Sequence, residues 1–293
     1  MLDQLLASEA FLISIEIKLF ISVMGFYCAS IVCCLFHLFY PRTSLGKISH
    51  RLLFAGALVH TAIIAMRTLE GMRPPYQTLY ESLSWFAWSA VITYLMVRRW
   101  QPKLYAPNII ISVIAVGAMT YALFKRSPAI NPLPPALQSS WFIWHVVLAF
   151  VSYAVFVVSC AYEAVYLLAR PFAKKPGAVY YGISEENIEG VNRAAYKLIL
   201  FGFPLLAFGI ISGAAWADQA WGRPWSWDPK ETWSLITFTV FAMYLHAQAV
   251  LKWRRWAAPV LNLVGFWCMI MTFIGVSWLA KILGIESLHV YVL

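Results

Sequence analysis

One stretch and its two neighbours decide the fold of this chain. Residues 216–234 read WADQAWGRPWSWDPKETWS. Two hydrophobic runs, 198–215 and 235–250, lie directly before and after this tryptophan segment. Because a helix crosses the hydrocarbon core of a bilayer with about 20 apolar residues, each run predicts a membrane-spanning helix. The tryptophan segment is therefore predicted to be a loop at the membrane surface.

Tryptophan is concentrated in this segment. Five of the 14 tryptophans of the chain fall in it, namely Trp216, Trp221, Trp225, Trp227 and Trp233. Single tryptophans at a lipid–water boundary are ordinary, because the indole ring buries its face and keeps its N–H in water. Five of them among glycine and proline residues, which restrict the backbone, predict a shaped aromatic platform instead. Such a surface suits a large, flat, amphipathic ligand.

The whole chain has the composition of a membrane protein. Hydrophobic residues make up 61% of its 293 residues and charged residues 12%, whereas about a quarter of the residues of a soluble protein are charged. We therefore expect an all-α fold, a polytopic bundle of about eight transmembrane helices that forms a single domain over residues 1–293. The predicted spans are 13–39, 51–67, 82–97, 105–124, 141–169, 193–215, 233–251 and 258–282.

The distribution of basic residues predicts the orientation. Nucleic-acid binding would require the 22 Lys and Arg residues to share one face, but they cluster in the loops after the first, third, fifth and seventh spans. The positive-inside rule places those loops on the cytoplasmic or stromal side. Both termini and the tryptophan segment are therefore expected on the outer side, and no nucleic-acid partner is expected.

The tryptophan segment resembles a known family motif. The string WADQAWGRPWSWDPKETWS is similar to the WWD motif of haem-handling membrane proteins, and its WSWDPKETW portion is most similar to the CcsA (ResC) branch of cytochrome c biogenesis system II. The string Tyr80-Glu81-Ser82-Leu83, at the start of the third span, resembles a further stretch of that family. The resemblance implies a cytochrome c synthase (haem lyase) subunit that attaches haem b to the Cys-x-x-Cys-His thiols of apocytochrome c.

The same resemblance implies partners and a location. A CcsB (ResB)-type membrane protein is expected to be needed for activity, and a thiol-reducing thioredoxin-like protein to keep the substrate cysteines reduced. Membrane lipid surrounds the chain. The expected location is the bacterial inner membrane with the site facing the periplasm, or the thylakoid membrane in a plastid.

Histidine is the commonest axial ligand of haem iron, and the chain has six. The resemblance implies that His145, near the outer start of the fifth span, and His289, after the last span, are outer iron ligands with a catalytic role. It implies that His246, in the seventh span, is an intramembrane iron ligand that shares haem with the CcsB-type partner. His60, inside the second span, either adds a further iron ligand or forms a hydrogen bond with a neighbouring helix.

The charged residues of the tryptophan segment have two interpretations. Arg223 or Lys230 pairs with the haem propionates, or Asp228 and Glu231 neutralise these cations and hold the loop in shape. Both interpretations stay open at this point. The expected haem-contacting residues of the segment are Trp216, Trp221, Trp225, Trp227, Arg223, Asp228 and Glu231.

Two other functions are compatible with parts of the sequence. A haem-binding chaperone or exporter would bind haem without attaching it to a protein. A transporter subunit would use its buried histidines to relay protons, but this hypothesis leaves the tryptophan cluster unexplained and predicts a colourless protein.

Overall fold

Helices make up nearly all of the chain that the computed structural model describes, which comprises residues 2–40, 43–100, 104–124, 130, 133–173, 183, 185–251 and 256–284. These residues form no strand. A π-helix, Met271–Gly275, joins the last two helices. The helices are α1 (Leu2–Phe39), α2 (Thr43–Gly71), α3 (Leu79–Val97), α4 (Pro107–Phe124), α5 (Ser140–Ala173), α6 (Glu185–Trp221), α7 (Pro229–Ala249), α8 (Ala257–Ile270) and α9 (Val276–Leu283).

The all-helical prediction is confirmed, and each of the eight predicted spans falls on helix. Six segments are long and apolar enough to cross a membrane, and these are Phe11–Phe39, Thr43–Gly71, Pro107–Phe124, Ser140–Phe172, Asn187–Trp221 and Ala257–Leu279. The helices α3 and α7 are not among the six, because polar side chains in their first turns and along their length lower their mean hydropathy.

The tryptophan segment contains more helix than the sequence predicts. The helix α6 continues to Trp221 and α7 begins at Pro229, so only residues 222–228 form a loop and the prediction of a loop over 216–234 is wrong at both ends. Hydropathy falls at Trp216, but the alanine-rich sequence there still favours helix. The helix ends where Gly222 adopts a left-handed φ of +72°, as glycine commonly does just after a helix.

Within the single membrane domain predicted for residues 1–293, the helices divide into two compact units, residues 1–132 and 133–292. In the first unit α1 packs on α2, α2 on α3, α3 on α4, and α4 back on α1. In the second unit α5, α6, α7 and α8 pack in the same circular order. The two units share this packing order but no repeated residue pattern.

An ion-pair cluster lies in the core of the first unit and consists of Glu16, Arg67, Arg73 and Glu81. Arg67 Nη1 is 3.0 Å from Glu16 Oε2, and Arg67 Nε is 3.1 Å from Glu81 Oε1. Arg73 Nη1 is 3.2 Å from Glu81 Oε2. All four residues are buried. Because two cations balance two anions, the cluster joins α1, α2 and the start of α3 without leaving a buried net charge.

Glu81 also caps the helix that it begins. Its Oε2 accepts hydrogen bonds from the backbone N–H groups of Gln77 at 2.8 Å and of Thr78 at 3.2 Å. In return, the hydroxyl of Thr78 accepts a hydrogen bond from the backbone N–H of Glu81. This reciprocal arrangement is a capping box. The Tyr-Glu-Ser-Leu string therefore has a structural role at the start of α3.

We expect Glu81→Ala to destabilise the protein strongly, because Arg67 and Arg73 would stay buried with one carboxylate fewer. Breaking a buried pair from one side costs about 3 kcal/mol or more, which denaturant or thermal unfolding of the purified protein in detergent would measure. Glu70→Ala removes an exposed carboxylate from α2 and is the matched control. Equal stability of the two variants would contradict the role given to the ion-pair cluster.

Candidate functional site

His145 lies in the second turn of α5 and is held against α6. The side chain is half-buried, and its Nδ1 is 2.7 Å from the carbonyl oxygen of Gly209. A carbonyl oxygen only accepts hydrogen bonds, so Nδ1 carries the proton and the lone pair of the neutral imidazole is on Nε2. Nε2 is therefore the nitrogen with which His145 would bind a metal.

The contact between His145 and α6 depends on one glycine. A Cβ atom on Gly213 would lie 2.6 Å from His145 Nδ1, closer than side chains approach each other. A Cβ atom on Gly209, one turn earlier, would meet the backbone of Ala149 at an ordinary 3.6 Å. Sequence analysis missed both glycines. Their Gly-x-x-x-Gly spacing within a hydrophobic run is the signal that marks a close helix contact.

Trp216 supports His145 from the end of α6. The two rings are stacked, with centroids 6.1 Å apart and an interplanar angle of 17°. Trp216 is only 6% exposed, and its Nε1 donates a hydrogen bond to the carbonyl of Ala136 at 2.7 Å. Its ring also contacts Phe142 and Trp221. Trp216 therefore positions His145 and has little surface left for a ligand.

Glu231 shapes the loop that joins α6 to α7. Its Oε2 accepts hydrogen bonds from the backbone N–H groups of Ser226 at 2.8 Å and of Asp228 at 3.2 Å. These are the residues on either side of Trp227. Because both N–H groups converge on one oxygen, the backbone at Trp227 turns into the left-handed region with a φ of +59°, which side-chain-bearing residues rarely adopt. The Trp227 side chain is consequently 69% exposed.

Asp228 caps α7 together with Glu231. Its buried carboxylate accepts a hydrogen bond from the backbone N–H of Lys230 at 2.9 Å, and the two acids form a capping box. These contacts favour the interpretation in which Asp228 and Glu231 hold the loop in shape. The two carboxylates do this by accepting hydrogen bonds from backbone N–H groups. Burial lowers the pKa of Lys230 to about 8, although the nearby Asp228 carboxylate opposes this shift.

Arg223 differs from its charged neighbours in the loop. It is exposed and makes no ion pair with any residue in the described ranges. A guanidinium in water at the edge of an aromatic surface suits a carboxylate ligand. Of the residues predicted to pair with an anionic group, Arg223 is therefore the better placed.

The tryptophans of the segment form two pairs. Trp216 and Trp221 have centroids 4.8 Å apart, and Trp225 and Trp227 have centroids 5.7 Å apart at an angle of 90°. Trp221 and Trp225 are half-buried. Trp233 belongs to α7 and contacts Trp267 of α8. Trp227 thus offers the largest surface of the segment to a ligand.

His246 lies far along α7 from the tryptophan segment. It occupies the last turn of the helix and is exposed, at the end of the predicted seventh span that lies away from the tryptophan segment. Its role as an intramembrane iron ligand stays a prediction. The helix ends at Ala249, where the cap bond runs from the N–H of Val250 to the carbonyl of His246. His289, the second predicted outer ligand, lies outside the described residues.

His60 is fully buried in the first unit. Its Nε2 is 2.9 Å from the hydroxyl of Ser84, and its Nδ1 is 3.3 Å from the hydroxyl of Tyr27. Both ring nitrogens are therefore within hydrogen-bond distance of neighbouring helices. This geometry favours hydrogen bonding over the alternative role as an iron ligand.

Comparison with known proteins identifies related sequences over most of the chain. The family model described as "Cytochrome C assembly protein" matches residues 76–284. The cytochrome c biogenesis protein CcsA of Synechococcus sp. (strain RCC307) is 34% identical over 274 residues, which covers 86% of this chain and 86% of the relative. CcsA of Chlamydomonas reinhardtii is 35% identical over 225 residues, covering 74% of this chain and 60% of the relative.

A solved structure shows the same fold. The chain named "Cytochrome c Heme Lyase CcmF" superposes with a TM-score of 0.69 at 16% sequence identity, and the match covers 94% of this chain. The match covers 50% of that chain, so the present protein spans half the length of this structural relative. At this identity the likeness concerns the fold alone.

We expect Trp227→Gly to stabilise the protein, because glycine adopts a left-handed φ without the cost of about 1 kcal/mol or more that other residues incur. In a Glu231→Ala background the loop no longer imposes that φ, so Trp227→Gly should give no gain. Unfolding midpoints of the four proteins form a double-mutant cycle. Trp225→Gly, at a position without positive φ, is the control and should not stabilise. A gain that persists without Glu231 would refute the proposed cause of the strain.

Proposed function

The chain belongs to the cytochrome c assembly family as a CcsA-type integral membrane protein of cytochrome c biogenesis, and we propose that it binds haem b and attaches it to apocytochrome c. In this proposal it is a subunit of a system II cytochrome c synthase (haem lyase) and works with a CcsB (ResB)-type membrane protein. Its location is the bacterial inner membrane, with the site on the periplasmic side, or the thylakoid membrane.

The position of His145 is the observation that carries this proposal. Its Nδ1–H donates to the Gly209 carbonyl, and such a second contact orients a metal-binding histidine and increases the basicity of the other nitrogen. An imidazole held in this way, in a unit that also exposes a tryptophan ring, suits the iron and the flat apolar face of a porphyrin.

The remaining residues of the site complete the binding of haem. His289 is proposed as the second outer iron ligand, opposite His145. Trp221, Trp225 and Trp227 contact the porphyrin, and the exposed Arg223 pairs with a propionate. Trp216, Asp228 and Glu231 act indirectly, because their contacts fix His145 and the shape of the loop.

His246 is proposed to receive haem at the other end of α7. The exposure of its side chain supports this role, because a histidine from the CcsB-type partner can approach an exposed ring. Haem is then bound jointly by two proteins before it reaches the outer ligands. The transfer between these places requires the partner, so the chain alone is expected to be inactive.

The attachment step adds a thiol across a vinyl group of haem. The S–H bond and the π bond of the vinyl group break, S–C and C–H bonds form, and the proton of the thiol moves to a vinyl carbon, so no oxidant is consumed. The step therefore needs reduced thiols, which a thioredoxin-like protein supplies. The contribution of this chain is to fix the haem so that the vinyl groups and thiols of the Cys-x-x-Cys-His segment meet in one orientation.

Visible spectra of the oxidised and dithionite-reduced protein test this function. The protein is purified after co-expression with its CcsB-type partner, as the wild type and as His145→Ala, His289→Ala and His37→Ala. We expect low-spin α and β bands in the reduced wild type and in His37→Ala, the histidine control, and their loss or shift in the other two variants. A folded wild type without haem would overturn the proposal.

Attachment is tested separately with a reporter apocytochrome c in the same cells. The proposal expects covalent haem on the reporter with the wild type and at least a tenfold loss with His145→Ala. Haem-loaded protein that leaves the reporter unmodified would favour the chaperone or exporter alternative.

We further expect Gly213→Ala to reproduce much of the His145→Ala spectrum. The added Cβ occupies the place of His145 Nδ1, so the ring must rotate and lose its bond to the Gly209 carbonyl. Gly209→Ala makes the same chemical change where space allows it and should retain the wild-type bands. Indistinguishable spectra for the two alanine variants would contradict the proposed packing of His145.

A further inference from the structure

Two cations lie on the surface of α6, towards the end of that helix that is far from the tryptophan segment. Arg193 and Lys197 are exposed, and neither forms an ion pair with any residue in the described ranges. Because they are four residues apart, their side chains lie on one face of the helix. The positive-inside rule accounts for cations at this end of a span, but it does not state what they bind.

Two contacts fix the register between α6 and α7 at this level. Gln248 Nε2 is 3.5 Å from Asn192 Oδ1, and the rings of Tyr244 and Tyr196 have centroids 6.5 Å apart. The two pairs are four residues apart on each helix and the helices run in opposite directions, so both contacts give the same register. This register identifies which surface residues of α6 and α7 are neighbours.

His246 lies between these two contacts on α7. It is two residues from Tyr244 and two from Gln248, which is about 3 Å along the helix axis in each direction. Arg193 and Lys197 directly follow the two contact residues of α6, so both cations lie within one helical turn of the level of His246. The exposed histidine and the two exposed cations are therefore at the same height on neighbouring helices.

The surface around His246 faces away from the core of the second unit. The helices α5, α6, α7 and α8 pack in a circle, so the exposed side chains of α6 and α7 lie on its outside. Met243 and Val250 are also exposed, and each is about one turn from His246 on the same helix. We call the set formed by His246, Arg193, Lys197, Met243 and Val250 the histidine–cation surface.

We propose that Arg193 and Lys197 bind the propionate carboxylates of the haem whose iron His246 binds. This inference rests on the proposed role of His246 in receiving haem. The axes of packed helices are about 8–10 Å apart, which is comparable with the distance from the haem iron to its carboxylates. The cations form charge-assisted hydrogen bonds with the two carboxylates, and Met243 and Val250 contact the apolar ring.

The charges nearby favour a ligand that carries carboxylates. On α7 no acidic residue follows Glu231 in the first turn. On α6 the exposed Glu189 lies one turn before Arg193, but it forms no ion pair with either cation of the described surface. A lipid headgroup also carries negative charge, but it would leave the imidazole of His246 without a role. Haem uses the histidine, both cations and the apolar side chains together.

Titration with haemin and with haemin dimethyl ester, which lacks both carboxylate charges, tests the proposal. The complex with the CcsB-type partner carries His145→Ala and His289→Ala, so that only the His246 site remains, and is placed in phosphatidylcholine nanodiscs. The Soret band reports binding. We expect haemin to bind about tenfold more tightly than the ester, because each exposed ion pair contributes a factor of a few. Arg193→Gln/Lys197→Gln should abolish this preference and leave the affinity for the ester unchanged.

Two further variants control for the charge and for its place. Arg193→Lys/Lys197→Arg keeps both charges and should retain the preference for haemin. Arg51→Gln/Arg99→Gln removes two exposed cations from the first unit and should also retain it. Unchanged ester binding shows in each case that the variant is folded, because the ester needs only the histidine and the apolar side chains.

Three results would overturn the proposal. These are equal affinities of the two probes for the unmodified surface, loss of the preference in Arg51→Gln/Arg99→Gln, and an effect of Arg193→Gln/Lys197→Gln only on the phosphatidylglycerol retained in native mass spectra. In each of them, binding that is lost in His246→Ala would leave the proposed function intact. Absence of haem from the complex with all histidines present would instead contradict the proposed function itself.

Discussion

The site depends on the close packing of one ring nitrogen, Nδ1 of His145, against the backbone of α6. His145 reaches the Gly209 carbonyl only because α6 carries no side chain at Gly213. Helices in lipid gain little from hydrophobic burial against each other, so close approach through small residues is what holds them together. The same contact that packs α5 on α6 therefore also sets the tautomer and the place of the imidazole. The Trp216 ring stacks on the imidazole of His145.

In both units the third helix begins with the same capping motif. A capping box forms from Thr78 and Glu81 at α3, and from Asp228 and Glu231 at α7. The glutamate has an additional task in each unit. Glu81 forms ion pairs with two buried arginines. Glu231 accepts hydrogen bonds from the backbone N–H groups of Ser226 and Asp228, and the loop then exposes the Trp227 side chain. A common local motif thus serves core packing in one unit and presentation of an aromatic ring in the other.

Hydrophobic runs in the sequence predict where the long helices lie, because a backbone that crosses lipid must satisfy its hydrogen bonds within the helix. Two of the eight predicted spans, on α3 and α7, are not among the six segments that are apolar enough to cross a membrane. Hydropathy does not report where a helix ends in water, so the extension of α6 to Trp221 was missed. The pattern Asp-x-x-Glu at 228–231 was visible as a capping signal. The hydrogen bonds of the buried Glu163 of α5 with Asn192 of α6 and Tyr244 of α7 were not predictable, since only packing brings these three helices together. The role of Gly213 was missed although its Gly-x-x-x-Gly spacing with Gly209 is readable in the sequence; which side chain it faces becomes known only from the packing of α5 on α6.

The lower mean hydropathy of α3 and α7 has a consequence for how the protein is made. Polar residues in the first turns of both helices, and His246 and Gln248 near the end of α7, disfavour the partition of either helix from the translocon into lipid by itself. If both helices lie across the membrane, as the eight-span prediction requires, we expect each to enter together with a neighbouring helix of its unit, on which it packs. The unit of insertion is then a group of helices, and polar contacts such as Arg67–Glu81 and Glu163–Tyr244 are expected to form during insertion.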